Sequence, residues 1–343
     1  MNAPTGLGFV LAAGLAVSQA HAQTCAWLAP SGTPWRTAPG LEAGEEATNI
    51  SGAACALPGG RGTCLLIGDE KRYARLFTFD GATLVPGERV GLLPKRFEGQ
   101  EFKETDGEAV AYDAGSYYVT GSHGMPWTPD KPRQASRFFV YRVPVDPASG
   151  RLGFSHGGEA PSPEVQRGDG LSAIVAGVEA LRPYLDRPLD EHGVNIEGLA
   201  ARDGVLHFGF RGPVLGGRAH VLSVRASRVF GGASDAAEPD MDWLTRLPLG
   251  EGMGVRDLVA VPGGFLVLSG PEQDVDGPAD VFFWPGPGSD TARCLGRLGA
   301  GRAKGVKPEA LLVLATEPDG TRVLVLHDGE AGGKPTEYRL PRP

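Results

Sequence analysis

Short apolar runs separated by turn-forming residues recur along the whole chain. Five of them have the aliphatic, β-branched or aromatic composition of a buried strand, at residues 64–67, 117–119, 205–208, 265–268 and 323–326. A further β-rich run follows four of them, at 75–79, 137–145, 220–224 and 281–284. Turn residues such as Pro58-Gly59-Gly60 and Pro262-Gly263-Gly264 lie just before the apolar runs. This alternation of short strands and turns predicts an all-β protein.

A common pattern precedes each of the five apolar runs. Aligning the segments that begin at residues 49, 106, 195, 254 and 307 gives one shared column, which contains Ser51, Glu108, Glu197, Arg256 and Glu309. Successive members of the column are 57, 89, 59 and 53 residues apart. A repeat of about 50 residues is typical of β-propeller blades. The pattern therefore predicts a β-propeller of five or six blades, since the long interval could hold one degenerate blade.

The 89-residue interval contains a Pro-rich, polar stretch at residues 162–190. Within it, residues 171–181 have apolar positions at helical spacing, and Pro183 follows. We expect a helical insertion between two blades. We also expect an N-terminal strand to complete the last blade and so to close the ring, with Cys25 and Cys294 near that closure.

The first 22 residues have the pattern of a signal peptide. An apolar core covers residues 7–17, and Ala20-His21-Ala22 matches an A-x-A cleavage site, although no Lys or Arg precedes the core. A buried N-terminal helix is the alternative. No apolar run of 18 residues follows, so a membrane-spanning helix is not predicted after this segment. The expected organisation is a signal peptide at 1–22 and a single propeller domain at 23–343.

Composition and charge narrow the class of protein. The chain has 52 Gly and 29 Pro in 343 residues, which raises the question of disorder, but 41% hydrophobic content in strand-like runs argues for a folded core. The formal net charge is −8, without long blocks of one sign. Nucleic acid and anionic membrane surfaces are poor partners for such a chain, because both require a basic patch.

The four cysteines agree with an exported protein. Cys55 and Cys64 flank a turn-rich link that could bring them together across a hairpin, which leaves Cys25 and Cys294 as the second pair. Four cysteines allow three connectivities, so this pairing is a preference. Disulfides persist in oxidising compartments, and we expect a periplasmic or secreted location.

The repeat places two columns of polar side chains on one face of the propeller. Neighbouring strands of a blade are antiparallel, so the start of the first strand and the end of the second lie at the same edge. Three carboxylates of the first column, Glu108, Glu197 and Glu309, could hold a divalent cation. Ca²⁺ is favoured, because hard cations take several oxygen ligands at once.

Other polar residues near these columns are candidates for binding and proton transfer. Arg211 ends a second strand and Arg256 lies in the first column, where paired hydrogen bonds would suit a phosphate or carboxylate. His123, in Gly121-Ser122-His123-Gly124, could carry protons or serve as a ligand. The remaining candidates for ligand binding are Asn195, Lys307 and Glu70. The alternative for each charged residue is a structural role in capping backbone groups or pairing with a neighbouring blade.

Two segments resemble the motifs of a known family. The segment 193–200 (GVNIEGLA), followed by 207–213 (HFGFRGP), is similar to the motif of a bacterial exported family of unknown function. A second motif of that family resembles residues 106–111 (DGEAVA) together with 121–124 (GSHG). The resemblance covers nearly the whole chain after residue 22, and it implies a β-propeller without implying a reaction.

More remotely, the repeated Glu-Gly-apolar-Ala segments are similar to those of phytase-like esterase and lactonase propellers. In those families, carboxylates hold a metal in the axial funnel. This chain departs from that pattern at Ser51 and Arg256, where a Glu would be expected.

Two functional hypotheses follow from the sequence. In the first, an exported propeller binds a small anionic ligand in its axial funnel with a divalent cation, and hydrolyses a phosphoester or an ester. In the second, the propeller is a non-catalytic scaffold for binding or for protein interaction, and the same charges cap its blades. We expect a monomer in either case.

Overall fold

Four-stranded antiparallel sheets dominate the computed structural model, which describes residues 25–41, 48–97, 99–126, 132–155, 158–231, 243–299 and 304–343. The predicted signal peptide at 1–22 lies outside the described residues. No helix in the described ranges is both long and apolar enough to cross a membrane.

Five sheets form the blades of a propeller, and we number them along the chain. Two short strands precede them, β1 (Trp27–Leu28) and β2 (Arg36–Thr37). Blade 1 contains β3 (Ile50–Cys55), β4 (Cys64–Gly68), β5 (Tyr73–Asp80) and β6 (Thr83–Gly91). A small hairpin follows, made of β7 (Arg96–Phe97) and β8 (Gln100–Glu101).

Blade 2 contains β9 (Gly107–Asp113), β10 (Ser116–Gly121), β11 (Val140–Pro144) and β13 (Gln166–Gly168), while β12 (Gly158–Pro161) pairs with β6 of blade 1. Blade 3 contains β14 (Asn195–Arg202), β15 (Val205–Leu215), β16 (Arg218–Arg225) and β17 (Trp243–Leu247).

Blade 4 contains β18 (Met253–Val261), β19 (Gly264–Pro271), β20 (Asp280–Trp284) and β21 (Arg293–Leu298), and blade 5 contains β22 (Lys307–Glu317), β23 (Gly320–Asp328) and β24 (Thr336–Pro341). The all-β propeller predicted from the sequence is confirmed, and the number of blades is five.

The hydrophobic core is divided into five clusters, each lying between two successive blades. Blades 1 and 2 share one cluster, and the same holds for blades 2 and 3, 3 and 4, and 4 and 5. The fifth cluster joins blade 5 to blade 1, with Leu326 and Ile50 among its fully buried members. Each blade is therefore buried on both faces, as its apolar second strand predicted.

The ring is closed differently from the expectation. Within residues 25–41, the described part of the N-terminal segment, no regular strand is added to blade 5. Instead, β1 pairs in parallel with the outer strand β21 of blade 4, Pro30 forms an isolated bridge with Tyr338 of blade 5, and β2 pairs with β6 of blade 1. The segment thus ties the outer edges of three blades. Its strands are two residues long, too short for a periodic pattern to reveal.

Residues 162–190 are only partly the helical insertion that their sequence predicted. Helix α1 (Gly170–Gly177) and two 3₁₀ helices, Arg182–Tyr184 and Leu189–Glu191, form the insertion. The stretch before them forms β13, the outer strand of blade 2. Leu171 and Val175 pack in the cluster between blades 2 and 3, near the short helix α2 (Ala226–Val229).

Two further local predictions can be compared with the structure. The β-run expected at 137–145 begins later, since a 3₁₀ helix covers Ala135–Phe138 before β11 starts at Val140. Both preferred disulfides are confirmed, with Cα–Cα distances of 5.7 Å for Cys25–Cys294 and 4.0 Å for Cys55–Cys64.

Candidate functional site

The column of residues identified in the sequence repeat has a shared backbone feature. In the innermost strand of each blade, the pairing register shifts within the first four residues, and one residue there is left without a partner in the second strand. These unpaired residues are Ser51, Glu108, Glu197, Arg256 and Glu309. A β-bulge bends its strand and changes the direction of a side chain. All five bulge residues line one axial cavity, which we call the funnel.

The funnel has a volume of about 350 Å³ and is dominated by charged side chains. Its described lining includes nine carboxylates: Asp69, Glu70, Glu104, Asp106, Glu108, Glu197, Asp274, Glu309 and Asp328. It includes four basic residues: Arg137, Arg211, Arg256 and Lys307. The funnel therefore carries more negative than positive groups, and every basic group in it has a carboxylate partner in the structure.

Arg256 lies between two of the three carboxylates predicted to hold a metal. Its Nη1 donates to Glu197 Oε2 at 2.8 Å and to Glu309 Oε1 at 2.9 Å, and its Nη2 donates to the backbone oxygen of Pro271 at 3.3 Å. Only 4% of the Arg256 residue is exposed. Burial lowers the pKa of Arg256, but Glu197 and Glu309 raise it more, so the guanidinium stays charged.

Arg211 approaches the same carboxylate from the second strand of blade 3. Its Nη1 donates to Glu197 Oε1 at 2.8 Å, and its Nε donates to the backbone oxygen of Glu272 at 2.8 Å. Arg211 is itself skipped in the pairing of β14 with β15, so a second bulge directs it inward. The two oxygens of Glu197 are thus occupied by two different arginines.

The remaining basic groups of the funnel are also paired. Lys307 Nζ donates to Asp274 Oδ1. Arg137 Nη1 lies 3.2 Å from Asp106 Oδ2, and Arg137 Nη2 lies 3.5 Å from Glu104 Oε1. Both partners of Arg137 come from the segment that leads into β9.

Several carboxyl groups of the funnel have no such compensation. Glu108 makes no ion pair or hydrogen bond through its carboxylate within the described part of the chain. Burial, together with Asp106 and the neighbouring carboxylates, raises the pKa of Glu108 well above its usual range. Burial and the negative charges around it also raise the pKa of Asp69 to about 7, and one oxygen of Asp69 is buried without a hydrogen-bond partner.

Glu309 and Glu197 have pKa values shifted in opposite directions, although both contact Arg256. Burial raises the pKa of Glu309 to about 8 against the attraction of Arg256. For Glu197, burial acts in the same direction, but Arg211 and Arg256 together lower the pKa below its usual value. At neutral pH the funnel thus holds an ionised carboxylate beside a protonated carboxyl group.

The three predicted metal ligands do not form a metal site in this arrangement. A cation shared by Glu197 and Glu309 would have to lie where the Arg256 guanidinium lies. Across the described ranges, no group of three or more His, Cys, Asp and Glu side chains is arranged to hold a metal ion. The Ca²⁺ prediction therefore has no support from side-chain geometry.

His123, predicted as a proton carrier, does not line the funnel. It is 3% exposed, its ring packs edge-on against Phe138, and its Nδ1 lies 3.5 Å from Ser172 Oγ. Burial, with a contribution from Arg133, lowers the pKa of His123 to about 3. Its Nε2 is buried without a hydrogen-bond partner. The imidazole is therefore neutral at physiological pH.

The other predicted residues, Asn195, Lys307 and Glu70, all line the funnel. The side-chain oxygen of Asn195 is buried and accepts no hydrogen bond from a described residue. Asn195 is the first residue of β14, two positions before the bulge at Glu197.

Sequence reasoning missed three charged groups of the funnel. Glu104 and Asp274 lie in loops, and Arg137 lies in a 3₁₀ helix that interrupts the expected strand. None of them occupies a repeated position. Asp69 and Asp328 could be found because they lie at the ends of second strands, β4 and β23.

Comparisons with solved structures find other proteins with distant similarity to this chain. It is similar to Ycf48 bound to a D1 peptide, at 10% identity and a TM-score of 0.32, over 82% of this chain and 63% of that one, just under two thirds of its length. It is similar to the calcium-binding protein regucalcin from Agrobacterium tumefaciens, at 11% identity and a TM-score of 0.36, over 87% and 92% of the two chains. It is also similar to a glycosyl hydrolase from Bacteroides ovatus, at 11% identity and a TM-score of 0.38, over 92% and 91%.

Curated proteins and protein families give two different results. A search of the curated proteins finds no match. Residues 88–337, well over half of the chain, match the family described as "Protein of unknown function (DUF3616)". The matched region begins in the last strand of blade 1 and includes the bulge residues Glu108, Glu197, Arg256 and Glu309. The chain therefore belongs to DUF3616, a family of unknown function, and in this chain the family's sequence forms a five-bladed β-propeller.

Proposed function

We propose that this protein is a ligand-binding propeller of the periplasm or the extracellular space, and that its axial funnel binds a small organic cation. The observation that carries the proposal is the composition of the funnel lining, where nine acidic side chains, with Glu309 protonated at neutral pH, face four basic groups that already have carboxylate partners. The two disulfides support an oxidising compartment.

The charge of the preferred ligand follows from the carboxylate partners that Arg211 and Arg256 already have. Arg211 and Arg256 were expected to hold an anion, but each already donates to a carboxylate, Arg211 to Glu197 and Arg256 to both Glu197 and Glu309. One donor of Arg211, Nη2, is buried without a hydrogen-bond partner, and it lies 3.9 Å from Asp274 Oδ1. An anion would have to displace these carboxylates and would meet the remaining negative groups. Burial raises the pKa values of Glu108 and Asp69, and repulsion from neighbouring carboxylates raises them further. A cation would relieve that repulsion.

A primary amine fits this environment better than a bare metal ion. Its three N–H donors can bind carboxylate oxygens that are spread around a cavity. A metal ion requires several oxygens within about 2.5 Å of one point, and the described carboxylates do not provide such a group. The volume of about 350 Å³ is at the lower end of the range of small-molecule sites.

Binding calorimetry with three probes tests the proposal: 1,4-diaminobutane, Ca²⁺ and inorganic phosphate, each at pH 7.5 and low ionic strength. We expect 1,4-diaminobutane to bind and phosphate not to bind. Glu108→Gln should weaken the diamine by about tenfold or more, because a buried charge partner is lost. The matched control Glu179→Gln removes an exposed carboxylate outside the funnel and should change the affinity by less than about twofold.

Three results would contradict the proposal. They are phosphate binding tighter than the diamine, an unchanged affinity in Glu108→Gln, and equal losses in the two variants. Saturable binding of Ca²⁺ without binding of the diamine would instead favour the metal that the sequence predicted.

One observation favours a second candidate function, hydrolysis. Glu309 and Glu197 are adjacent carboxyl groups with pKa values shifted apart, a pattern found in acid–base pairs. Water would attack the acyl carbon, Glu309 would donate its proton to the departing alkoxide, and the ionised Glu197 would hold Arg211 and Arg256 in place beside Glu309. The negative funnel favours a neutral carboxylic ester over a phosphoester.

A pair of chromogenic substrates tests the hydrolytic candidate. We expect turnover of 4-nitrophenyl acetate above that of 4-nitrophenyl phosphate, with a rate that falls as the pH rises through about 8. Glu309→Gln should remove this pH dependence. No turnover of the ester above the buffer rate would eliminate the candidate while leaving the binding proposal in place.

A further inference from the structure

A second cavity adjoins the funnel and has the opposite chemical character. It is a cleft of about 630 Å³ between blades 4 and 5, and it shares Arg256 and Lys307 with the lining of the funnel. Its walls come from the end of β19 and the turn after it, from β21, from the start of β22 and from Trp27 of β1.

Two exposed apolar side chains line this cleft. Among the described residues, three large hydrophobic side chains are exposed: Trp27 at 60%, Val275 at 55% and Trp243 at 38%. The first two line the cleft. Exposed aromatic and aliphatic groups that share one concave surface indicate a binding site, whereas single exposed residues do not.

The position of Trp27 is fixed by several contacts. Cys25, two residues earlier, is joined by a disulfide to Cys294 of blade 4. Trp27 pairs with Arg297 in the register of β1 and β21, and the Arg297 guanidinium lies 5.6 Å from the centroid of the indole ring. Arg297 is held in turn by Asp280, with distances of 2.6 and 2.8 Å. The disulfide, the strand pairing and the contact with Arg297 therefore hold the Trp27 indole at the outer edge of blade 4.

Basic side chains outnumber acidic ones in the lining of the cleft, in contrast to the funnel. Four basic residues line it, Arg256, Arg297, Lys304 and Lys307, against one acidic residue, Asp276. Three of the basic residues are paired with carboxylates elsewhere. Lys304 is exposed and makes no ion pair with any described residue. Asp276 accepts a hydrogen bond from the Gly305 backbone, at 2.9 Å, through its Oδ1.

We propose that this cleft binds a small aromatic carboxylate. Its ring packs against the indole of Trp27 and against Val275, and its carboxylate pairs with Lys304. The apolar wall supplies most of the affinity, because aromatic contacts bury the most area per side chain. Lys304 supplies the preference for an anion, as an exposed cation at the rim of a site does. The inference is independent of what the funnel binds.

Calorimetric titration with 1-naphthoate, and with the neutral 1-naphthylmethanol as its analogue, tests the proposal. We expect saturable binding of 1-naphthoate and weaker binding of the alcohol by about threefold or more at low salt, with the difference shrinking in 0.5 M NaCl. Lys304→Gln should remove the preference for the carboxylate while leaving the alcohol unaffected.

Two tryptophan variants provide a matched comparison. Trp27→Ala should weaken 1-naphthoate by about tenfold or more, since it removes the aromatic wall. Trp243→Ala removes an exposed tryptophan outside the cleft and should change the affinity by less than about twofold. If Trp27→Ala fails to fold, Val275→Asp serves instead, because Val275 lies in an exposed turn, and it should reduce the affinity by a similar factor.

The proposal is overturned by any of three outcomes: no saturable binding of 1-naphthoate, equal effects of Trp27→Ala and Trp243→Ala, or an anion preference that persists in Lys304→Gln. The funnel variant Glu108→Gln separates this site from the first one. It should leave 1-naphthoate binding unchanged, and a loss of tenfold in that variant would place the ligand in the funnel and overturn the inference.

Discussion

Glu197 and Arg211 are joined by a hydrogen bond of 2.8 Å, and each is the residue left unpaired where the ladder between β14 and β15 shifts register. Two bulges on neighbouring strands thus direct a carboxylate and a guanidinium toward the same axis. Because Arg256 binds the other oxygen of Glu197, one buried carboxylate connects blades 3 and 4. Through Glu309 the connection continues to blade 5.

Loss of Arg256 should destabilise the whole propeller. Arg256→Met removes the shared partner of Glu197 and Glu309, so that Glu309 loses its ion pair and Glu197 keeps only Arg211, at a cost of about 3–5 kcal/mol in the free energy of unfolding. Urea denaturation at pH 7.5 measures this change. The matched control is Arg339→Met, which breaks ion pairs to Glu317 and Asp319 at an exposed site and should cost less than about 1 kcal/mol. Equal losses would show that the network does not connect the blades.

The free energy of unfolding should fall as the pH rises from 6.5 to 9. Asp69 has a pKa of about 7 and Glu309 a pKa of about 8 in the folded protein, whereas unfolded carboxyl groups titrate near 4. The folded state therefore retains protons that the unfolded state has already released. Each such group lowers stability by up to about 1.4 kcal/mol per pH unit until the pH passes its folded pKa.

Denaturation series at several pH values check this dependence. Glu309→Gln should show a smaller fall between pH 6.5 and 8 than the unmodified protein, because one of the titrating groups is gone. A stability that is constant or rises over this range would contradict the raised pKa values.

The repeated column could be predicted from the sequence because it rests on a local backbone feature. Each bulge occurs at the same place in a blade, so Glu108, Glu197 and Glu309 recur at blade spacing. The charge balance could not be predicted in the same way. Arg137 and Asp274 reach the funnel from the connections between the second and third strands of blades 2 and 4, and these connections differ in length and sequence from blade to blade. They change what the funnel can bind, since Lys307 is occupied by Asp274.

His123 shows that the sequence did not predict the direction of a single side chain. Its motif suggested a proton carrier or a ligand in the funnel, but the side chain packs against Phe138 and does not line the funnel. The backbone of His123 has a φ of 51°, a conformation that Asn and His adopt more readily than most residues. A sequence motif does not specify which way the side chain points after such a turn.

His123→Asn should leave ligand binding in the funnel unchanged within about twofold, since Asn also accepts the left-handed backbone. Its effect should appear in stability at acidic pH. The pKa of His123 is lowered to about 3, so between pH 3 and 6.5 the unfolded chain binds a proton that the folded chain does not. Stability is lost as the pH falls through this range, and the variant should lose less of it. Urea denaturation at pH 4.5 and pH 7 measures this effect on stability. Binding calorimetry at pH 7 tests the alternative, since a direct role of His123 in the funnel would reduce binding in the variant.

The two disulfides should differ strongly in their contribution to stability. Cys25–Cys294 closes a loop with a sequence separation of 269, whereas Cys55–Cys64 closes one of 9. In the chain-entropy description, this difference makes the long-range bond more stabilising by about 3 kcal/mol. The long-range bond also fastens the N-terminal segment that links blades 4, 5 and 1, so its removal should loosen the closure of the ring.

Urea denaturation under oxidising conditions measures the two contributions in two double variants. One is Cys25→Ala with Cys294→Ala, and the other is Cys55→Ala with Cys64→Ala. Equal losses would mean that strand pairing and the blade 5 to blade 1 core cluster close the ring without help from the disulfide.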